Sequence, residues 1–429
     1  MLYLWITLLI LVSLNMPIGF AIGISGAVYF LTTALIPFPV TIQRVVAQTQ
    51  SIAFLAVPFF IFAGNLMNRT GITKRLLGFA SLLTRRMHGG LAQVNVVLST
   101  MMGGISGSAV ADASMEARVL GPTMLKRGYS KGYTAGITCL SSLITATIPP
   151  SLGLILFGFV GEVSIGRLFV AGVIPGLMMM VALMLTVSIT SKKKNYDPPA
   201  PEAKAPSIRE ILIDLKDSIW ALIFPVILIA GIRFGLFTAS EAGAFAVVYA
   251  LIIGKFVYKE LTWASFKEAL WDSVIDNGAI ILIIALSGIF GYALSMENVT
   301  GAMGNLLTSL TSNPQVMLVY IVLFLFIAGM FVDSNVIVLL LTPIFLPIII
   351  KMGVDPVHFG IIMMTIVTMG VMTPPVGTAV YVVCDILEVP LEEYVKESLP
   401  FFAAIILLVI VLIFLPQVVL FLPNLVYGG

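Results

Sequence analysis

Apolar segments long enough to cross a lipid bilayer recur along nearly the whole chain, and they restrict the fold more than any other feature. A crossing helix needs about 20 apolar residues at a rise of about 1.5 Å each. The 429 residues are 59% hydrophobic and 10% charged, whereas a soluble domain carries about 25% charged residues. A water-soluble core could not bury so much apolar surface. We therefore predict an all-α, polytopic membrane protein, which excludes a cytoplasmic enzyme and a secreted binding module.

Charged, cysteine and histidine residues exclude further classes of protein. A net charge of +2 gives no reason to expect a nucleic acid partner. Cys139 and Cys384 lie in apolar stretches and predict neither a disulfide framework nor a metal cluster. His88 and His358 are too few and too scattered for a redox or zinc site. The first apolar segment has no basic flank and no small-residue cleavage site, so we expect a retained membrane segment.

One polar stretch, residues 191–217, divides the chain into two halves with the same order of segments. Its lysine, proline and alanine content is typical of a solvated linker. We predict a first repeat over 1–190 and a second over 218–429, each with about five crossings. The first-half segments are crossings at 2–15, 17–35, 51–67 and 164–190, an amphipathic stretch at 73–88, an interrupted region at 92–125 and a broken crossing at 132–158. Their second-half counterparts are crossings at 218–236, 240–257, 276–296 and 399–423, an amphipathic stretch at 261–275, an interrupted region at 314–350 and a broken crossing at 357–386.

Short motifs recur in the same order in both halves, which supports an internal repeat. An aspartate, Asp112 or Asp333, stands ten residues before a proline in each interrupted region. A double proline closed by glycine follows in each half, in Thr147-Ile148-Pro149-Pro150-Ser151-Leu152-Gly153 and Thr373-Pro374-Pro375-Val376-Gly377.

Lysine and arginine predict the orientation of the two halves. The basic residues concentrate in 69–90, 118–131, 191–217 and 255–267, whereas 268–350 contains none. The positive-inside rule places the basic loops in the cytoplasm. With an odd number of crossings in each half, the second half is inserted upside down and both termini lie outside the cytoplasm. Inverted halves are typical of secondary transporters.

Each interrupted region is predicted to be a re-entrant hairpin with its tip near the middle of the membrane. The tips, Met102–Ala109 and Gly329–Asn335, contain residues that disfavour helix. Each arm of about 15 residues spans about 22 Å, less than the hydrocarbon core of about 30 Å. Irregular main chain at this depth must be buried in protein or line a cavity. Free carbonyls there can coordinate cations, and helix N-termini attract a carboxylate.

Three acidic residues near apolar segments have both a functional and a structural interpretation. For Asp333 we favour a cation or substrate ligand over a helix cap, because Ser334 and Asn335 could cap the next helix. For Asp112 both interpretations stay open, since Arg118 could balance its charge. Glu241 follows Thr238 in a capping-box pattern, so we interpret it as structural.

Three motifs together resemble the large membrane subunit of tripartite ATP-independent periplasmic (TRAP) transporters. They are Gly104-Ile105-Ser106-Gly107-Ser108-Ala109-Val110-Ala111-Asp112, Thr373–Gly377 and Phe60-Ile61-Phe62-Ala63-Gly64. The resemblance covers essentially the whole chain and implies sodium-coupled, elevator-type uptake of an organic acid across a bacterial inner membrane. The sequence looks most like the sialic acid branch, with C4-dicarboxylate relatives close to it. The resemblance also implies a soluble periplasmic substrate-binding protein and a small membrane subunit, here expected as a separate chain because the chain starts at Met1.

The same resemblance implies which residues bind sodium and substrate. One sodium ion would lie near Ser106, Gly107, Thr145 and Thr147. A second would lie near Gly329, Asp333, Ser334, Thr368, Met369 and Thr373. The substrate would contact Ser108, Ser151 and Asp333.

Three alternatives remain at this point. A stand-alone sodium/dicarboxylate symporter also uses paired hairpins. An intramembrane serine protease would use the GxSG pattern at Gly104–Gly107, but it would need a histidine base. A passive channel is disfavoured, because closed hairpin tips obstruct a continuous pore. No GxxxxGK[ST] phosphate loop occurs in the sequence, so we expect ion gradients rather than ATP to drive transport.

Overall fold

The computed structural model describes residues 2–14, 16–33, 37, 39–50, 52–198 and 207–428. Within these ranges the chain is helical and contains no β-strand, which confirms the predicted fold class. The helices before the linker are α1 (Leu2–Ser13), α2 (Ile18–Thr33), α3 (Pro39–Thr49), α4 (Ala56–Asn68), α5 (Ile72–Thr84), α6 (Gly90–Gly103), α7 (Ala109–Val119), α8 (Gly121–Lys126), α9 (Lys131–Thr147), α10 (Leu152–Val160) and α11 (Ile165–Lys194). The helices after it are α12 (Ile208–Arg233), α13 (Ala239–Ile252), α14 (Trp263–Met296), α15 (Val299–Leu310), α16 (Pro314–Gly329), α17 (Ser334–Lys351), α18 (Pro356–Val371), α19 (Thr378–Leu387), α20 (Leu391–Phe414) and α21 (Pro416–Tyr427).

Several helices are long and apolar enough to cross a membrane. Among the described residues six qualify, namely α11, α12, α13 with its π-helical extension to Val257, α14, α17 and α20. The α9–α10 pair, bent by 45° at its break, makes a seventh when it is counted as one span. The predicted amphipathic stretch 261–275 and crossing 276–296 are a single 34-residue helix, α14. They are continuous because no proline interrupts their junction, and the single glycine close to it, Gly278, is tolerated inside the helix.

Helix ends near the linker and near both termini differ from the sequence prediction. The predicted linker 191–217 is helical at both of its ends, since α11 continues to Lys194 and α12 begins after a capping box formed by Ser207 and Glu210. Residues 199–206 lie outside the described ranges. The predicted crossing 399–423 is divided at Leu415, because Pro416 cannot continue the hydrogen-bond pattern of α20 and instead begins α21. Helix α1 has 12 residues, about 18 Å, which is short for a full crossing.

Both predicted interrupted regions are helical hairpins. Helices α6 and α7 meet at residues 104–108, and α16 and α17 meet at residues 330–333. Gly107 has φ +62°, and a Cβ there would lie 2.3 Å from the carbonyl oxygen of Pro150. Only glycine satisfies both the left-handed conformation and this close approach. The first tip is therefore fitted against the first helix break.

Each hairpin contacts a helix break in both halves of the chain. Helices α6 and α7 pack on α9, and α16 and α17 pack on α18. Across the halves, α7 packs on α19 and α17 packs on α10. The two breaks, between α9 and α10 and between α18 and α19, each contain a cis Pro-Pro bond. These reciprocal contacts bring both tips and both breaks to the centre of the molecule.

The remaining helices surround this centre. We call α1–α5 and α12–α15 the frame, and α6–α11 and α16–α21 the hairpin bundle. Within the frame, α2 packs on α14 and α13 packs on α4, again a reciprocal pair. Arg69, at the end of α4, forms ion pairs with Glu268 and Asp272 of α14. This contact joins the two frame helices at the predicted cytoplasmic side.

Candidate functional site

Both hairpin tips and the helices that flank both breaks line one cavity of about 280 Å³, which we call the central cavity. The first half contributes its tip and the start of α10, and the second half contributes its tip, α18 and the start of α19. The lining residues are Gly107, Ser108, Ala109, Val110, Ala146, Leu152, Gly153, Asp333, Ser334, Asn335, Met364, Thr368, Val371 and Thr378. The cavity is thus assembled from segments more than 200 residues apart in sequence.

Four helix N-termini converge on the central cavity. The first residues of α7, α10, α17 and α19 all line it, namely Ala109, Leu152, Ser334 and Thr378. The N-terminus of a helix carries unpaired N–H groups and a partial positive charge. Anionic ligands bind at such ends without a basic side chain. The cavity is therefore suited to a carboxylate.

A second cavity of about 390 Å³, the side cavity, lies between the first tip and the frame. It shares Ser108, Val110, Leu152 and Asn335 with the central cavity. The frame contributes Asn65 and Asn68 from α4 and Asp276 from α14. Asn68 directly precedes the basic loop 69–90. The side cavity thus extends from the tips toward the predicted cytoplasmic side.

The first tip offers polar groups that protein contacts leave unused. The Ser106 hydroxyl oxygen is buried without a hydrogen-bond partner among the described residues, and Ser106 lines the side cavity. Ser108 caps α7 by accepting a hydrogen bond from Ala111 N at 3.4 Å. Ser151 caps α10 by accepting from Leu154 N at 3.4 Å, and its hydroxyl donates to the carbonyl of Ala146. Ser106 is the hydroxyl best placed to bind a ligand here.

At the second tip a single carboxylate both caps a helix and lines the cavity. Asp333 Oδ1 accepts a hydrogen bond from Asn335 N at 2.9 Å, so Asp333 is the N-cap of α17. The expectation that Ser334 and Asn335 would take over the capping is wrong, because both lie inside the first turn of α17. Thr368 faces the same cavity, and in the part of the chain that the structure describes its buried hydroxyl has no hydrogen-bond partner.

Two buried carboxyl groups lie behind the first tip, and the sequence analysis missed one of them. Thr145 Oγ1 lies 2.6 Å from Asp112 Oδ2 and donates a hydrogen bond to Ser99 O at 2.9 Å. Glu116 accepts hydrogen bonds from the Ser99 hydroxyl at 2.9 Å and lies one turn after Asp112 on the same face of α7. Within the described residues Arg118 forms no ion pair with Asp112. Helical spacing of i, i+4 is the signal that could have found Glu116.

The predicted site residues divide into two groups. Those that line the central or side cavity are Ser106, Gly107, Ser108, Asp333, Ser334 and Thr368. Those that line neither cavity, as the described residues form them, are Thr145, Thr147, Ser151, Gly329, Met369 and Thr373. The Thr147 hydroxyl donates to the carbonyl of Leu143 in its own helix, and the Thr373 hydroxyl, just after the end of α18, donates to the carbonyl of Met369. Asn65, Asn335 and Asp276 line the side cavity but were not predicted as ligands.

The oxygen atoms around the cavity suit a monovalent cation better than a transition metal. No cluster of three or more His, Cys, Asp or Glu residues occurs in the described part of the chain. The unpartnered hydroxyls of Ser106 and Thr368 and the carboxylate of Asp333 are hard oxygen donors. Main-chain carbonyls at broken helices are the usual additional ligands for sodium in transporters.

The geometry excludes the serine protease alternative. Within the described ranges the Ser106 hydroxyl has no hydrogen-bond partner, whereas a nucleophilic serine needs a base within hydrogen-bond reach. His358 Nε2 lies 2.7 Å from the carbonyl oxygen of Leu412, so this ring faces α20. His88 follows α5 in the basic loop at the predicted cytoplasmic side.

Comparisons with known proteins agree with this geometry. The family described as "Tripartite ATP-independent periplasmic transporter, DctM component" matches residues 5–418. The chain is 34% identical to the sialic acid TRAP transporter large permease protein SiaM of Vibrio cholerae, over 96% of each chain. It is 32% identical to the C4-dicarboxylate TRAP transporter large permease protein DctM of Pseudomonas aeruginosa, over 94% of each chain. Among solved structures, the Alcanivorax borkumensis YdaH transporter shares the fold with a TM-score of 0.60, 12% identity and 86% of each chain covered.

The comparisons confirm the family, the absence of an enzymatic role and the location predicted from the sequence. The chain belongs to the DctM component family of tripartite ATP-independent periplasmic transporters, and it is a non-enzymatic, multi-pass subunit of a substrate-uptake system in the bacterial inner membrane.

Proposed function

We propose that this subunit carries an organic acid anion across the inner membrane together with sodium ions, by an elevator movement of the hairpin bundle against the frame. The observation that carries the proposal is the convergence of four helix N-termini on one central cavity. Their partial positive charges favour a carboxylate at the place where both tips meet.

Sodium coupling is supported by the oxygen atoms beside the same cavity. Among the residues that the structure describes, the hydroxyls of Ser106 and Thr368 are buried without hydrogen-bond partners, and Asp333 adds a negative charge. A cation between Asp333 and the substrate carboxylate would remove their repulsion. Sodium binding would therefore be required before, or together with, binding of the acid.

The ion gradients supply enough free energy for accumulation. One charge crossing 100 mV gains about 2.3 kcal/mol, and a tenfold concentration gradient adds about 1.4 kcal/mol. We propose two sodium ions for each monoanion, which gives net inward movement of positive charge. No ATP hydrolysis is then needed.

Sialic acid (N-acetylneuraminate) is the favoured substrate and a C4-dicarboxylate is the alternative. A sugar acid brings one carboxylate and several hydroxyls, whereas a dicarboxylate brings a second negative charge close to Asp333. The relatives named for these two substrates are similar to the chain to almost the same degree. The preference for sialic acid therefore rests on charge at the site.

We also propose that the subunit works with a small membrane subunit, as a separate chain, and with a periplasmic substrate-binding protein. The family description names a tripartite periplasmic transporter. The alternative is a symporter that acts alone. Omitting the small subunit or the binding protein from a reconstituted system distinguishes these two hypotheses. A three-part transporter then loses uptake, whereas a symporter that acts alone does not.

Uptake of radiolabelled N-acetylneuraminate and succinate into proteoliposomes tests the proposal. We expect uptake of N-acetylneuraminate only with an inward sodium gradient and with both partners present. Equal uptake under a potassium gradient would reject sodium coupling. Succinate uptake without N-acetylneuraminate uptake would reject the substrate assignment and leave the coupling mechanism in place.

A further inference from the structure

A third cavity, of about 970 Å³, lies at the other end of the protein from the side cavity. The start of α11 at Ile165 and the end of α12 at Ile232 line it. From Ile165, α11 runs for 30 residues to Lys192–Lys194, which is about 45 Å of helix. The cavity therefore lies opposite the basic, predicted cytoplasmic side, and we call it the outer cavity.

The outer and side cavities are lined by the same three helices, α10, α14 and α17, at different positions along the helix axes. The side cavity uses Leu152 of α10, Ala279 of α14 and Asn335 of α17. The outer cavity uses later residues of the same helices, namely Gly158–Val160, Ser287–Ser295 and Leu339–Pro343. From Ala279 to Tyr292 on α14 the distance is about 20 Å at 1.5 Å per residue. A shift of the hairpin bundle by this distance would bring the tips level with the outer cavity.

The frame presents one arginine to the outer cavity. Arg44 of α3 lines it, and its guanidinium carbon lies 4.0 Å from the centre of the Tyr292 ring. Tyr292 in turn stacks on Phe30 at 5.6 Å, so the aromatic pair supports the guanidinium. Within the described chain Arg44 makes no ion pair with a carboxylate. Stacking uses the face of the guanidinium and leaves its N–H edge free to bind an anion.

We propose that Arg44 binds the carboxylate of the transported acid on the outer side of the membrane, before the acid is carried inward. The inference rests on the proposed function and adds a frame residue to substrate recognition. Glu162, in the loop after α10, also lines the outer cavity. It belongs to the hairpin bundle and moves outward with it, so it leaves the level of Arg44 as the tips arrive. A guanidinium then faces the carboxylate at the four helix N-termini in bidentate geometry.

Thiol labelling tests the charge of the outer cavity without requiring transport. Ser295→Cys places a thiol on its wall, while the native Cys139 and Cys384 are buried. We compare labelling by anionic and cationic methanethiosulfonate reagents in this variant, with and without Arg44→Gln. Loss of the arginine should lower the anionic-to-cationic rate ratio by about threefold or more. Gln43→Ala, a change on α3 at a residue outside the cavity lining, should leave the ratio unchanged. An unchanged ratio in Arg44→Gln overturns the proposal.

Uptake kinetics then test whether this charge serves the substrate. In the assembled transporter Arg44→Gln should raise the KM for N-acetylneuraminate about tenfold, which is the effect of losing a charged hydrogen bond. The maximal rate should change less. Arg44→Lys should have an intermediate KM, because lysine keeps the positive charge but lacks the paired N–H donors of the guanidinium. A wild type that takes up neither N-acetylneuraminate nor succinate rejects the proposed function. Normal kinetics of Arg44→Gln beside an active wild type reject this inference alone.

Discussion

Gly329 on α16 and Gly370 on α18 meet backbone to backbone. A Cβ on Gly370 would lie 2.6 Å from Gly329 Cα, and a Cβ on Gly329 would lie 2.7 Å from the carbonyl oxygen of Val367. Small residues allow membrane helices to approach this closely. The contact fixes the second hairpin arm against the helix that leads to the second break.

We expect Gly370→Ala to lower the thermal stability of the detergent-solubilised protein. The added methyl must separate α16 from α18, and overpacking of this kind costs about 1–3 kcal/mol. Gly278→Ala is the matched control, because no atom of the described residues lies within 4 Å of a Cβ at Gly278 in α14. Equal melting temperatures for the two variants would show that the α16–α18 contact can relax freely.

Substitutions of Asp333 separate its capping role from its binding role. Asparagine caps helices about as well as aspartate, so Asp333→Asn should keep the start of α17 and normal expression. It removes the negative charge beside the central cavity, so sodium-driven uptake should fall at least about tenfold. Asp333→Ala should lose uptake and also about 1 kcal/mol of stability. Wild-type uptake by Asp333→Asn would remove this carboxylate from the cation site.

Ser106→Ala tests a hydroxyl that makes no hydrogen bond to any described residue. We expect unchanged or slightly higher thermal stability, because the change removes a buried polar atom without a partner. Uptake should fall, and the sodium concentration for half-maximal uptake should rise. Ser309→Ala, an exposed position on α15, serves as the control. An unaltered sodium dependence of Ser106→Ala would contradict our assignment.

Asp112 should act by joining α7 to α9. In Asp112→Asn the amide can donate to Thr145 Oγ1 while the Thr145 hydroxyl donates to Ser99 O, so both contacts of Thr145 survive. We expect Asp112→Asn to melt close to the wild type and Asp112→Ala to lose about 1–3 kcal/mol. Similar losses in both variants would mean that the negative charge itself stabilises the fold.

A disulfide between the first tip and the frame should stop transport. A Cβ on Gly104 would lie 3.3 Å from Pro225 Cβ of α12, close to the separation that disulfides need. In the double variant Gly104→Cys with Pro225→Cys, oxidation should abolish uptake and reduction should restore it. Each single variant under oxidation is the control. Full turnover of the oxidised protein would reject movement of the hairpin bundle against the frame.

The central features of this fold were predictable because they depend on local sequence. Glycine-rich tips and double prolines cannot continue a helix, and the structure has a hairpin tip or a helix break at each of them. The continuity of α14 was less visible, because a change from amphipathic to apolar composition resembles a boundary although the helix itself does not break.

The site was only partly predictable because its walls come from distant segments. Gly107, Ser108 and Asp333 lie in the tip motifs and line the central cavity. Asn65 and Asp276 become lining residues only through the packing of α4 and α14 around the tips. No sequence motif marked Glu116, because the hydroxyls that bind its carboxyl group come from two other helices, α6 and α9. Thr147 was expected near sodium, but its hydroxyl bonds its own helix.

The four helix ends at the central cavity have a consequence for how such proteins diversify. Amide dipoles belong to the polypeptide itself and survive any exchange of the residues that bear them. With the substrate site that we propose, a new cargo would demand changes at only a few lining positions, such as Ala146, Met364 and Thr378, and the rest of the fold would stay the same. Relatives that share about a third of their residues with this chain are named for chemically different nutrients, sialic acid and C4-dicarboxylates.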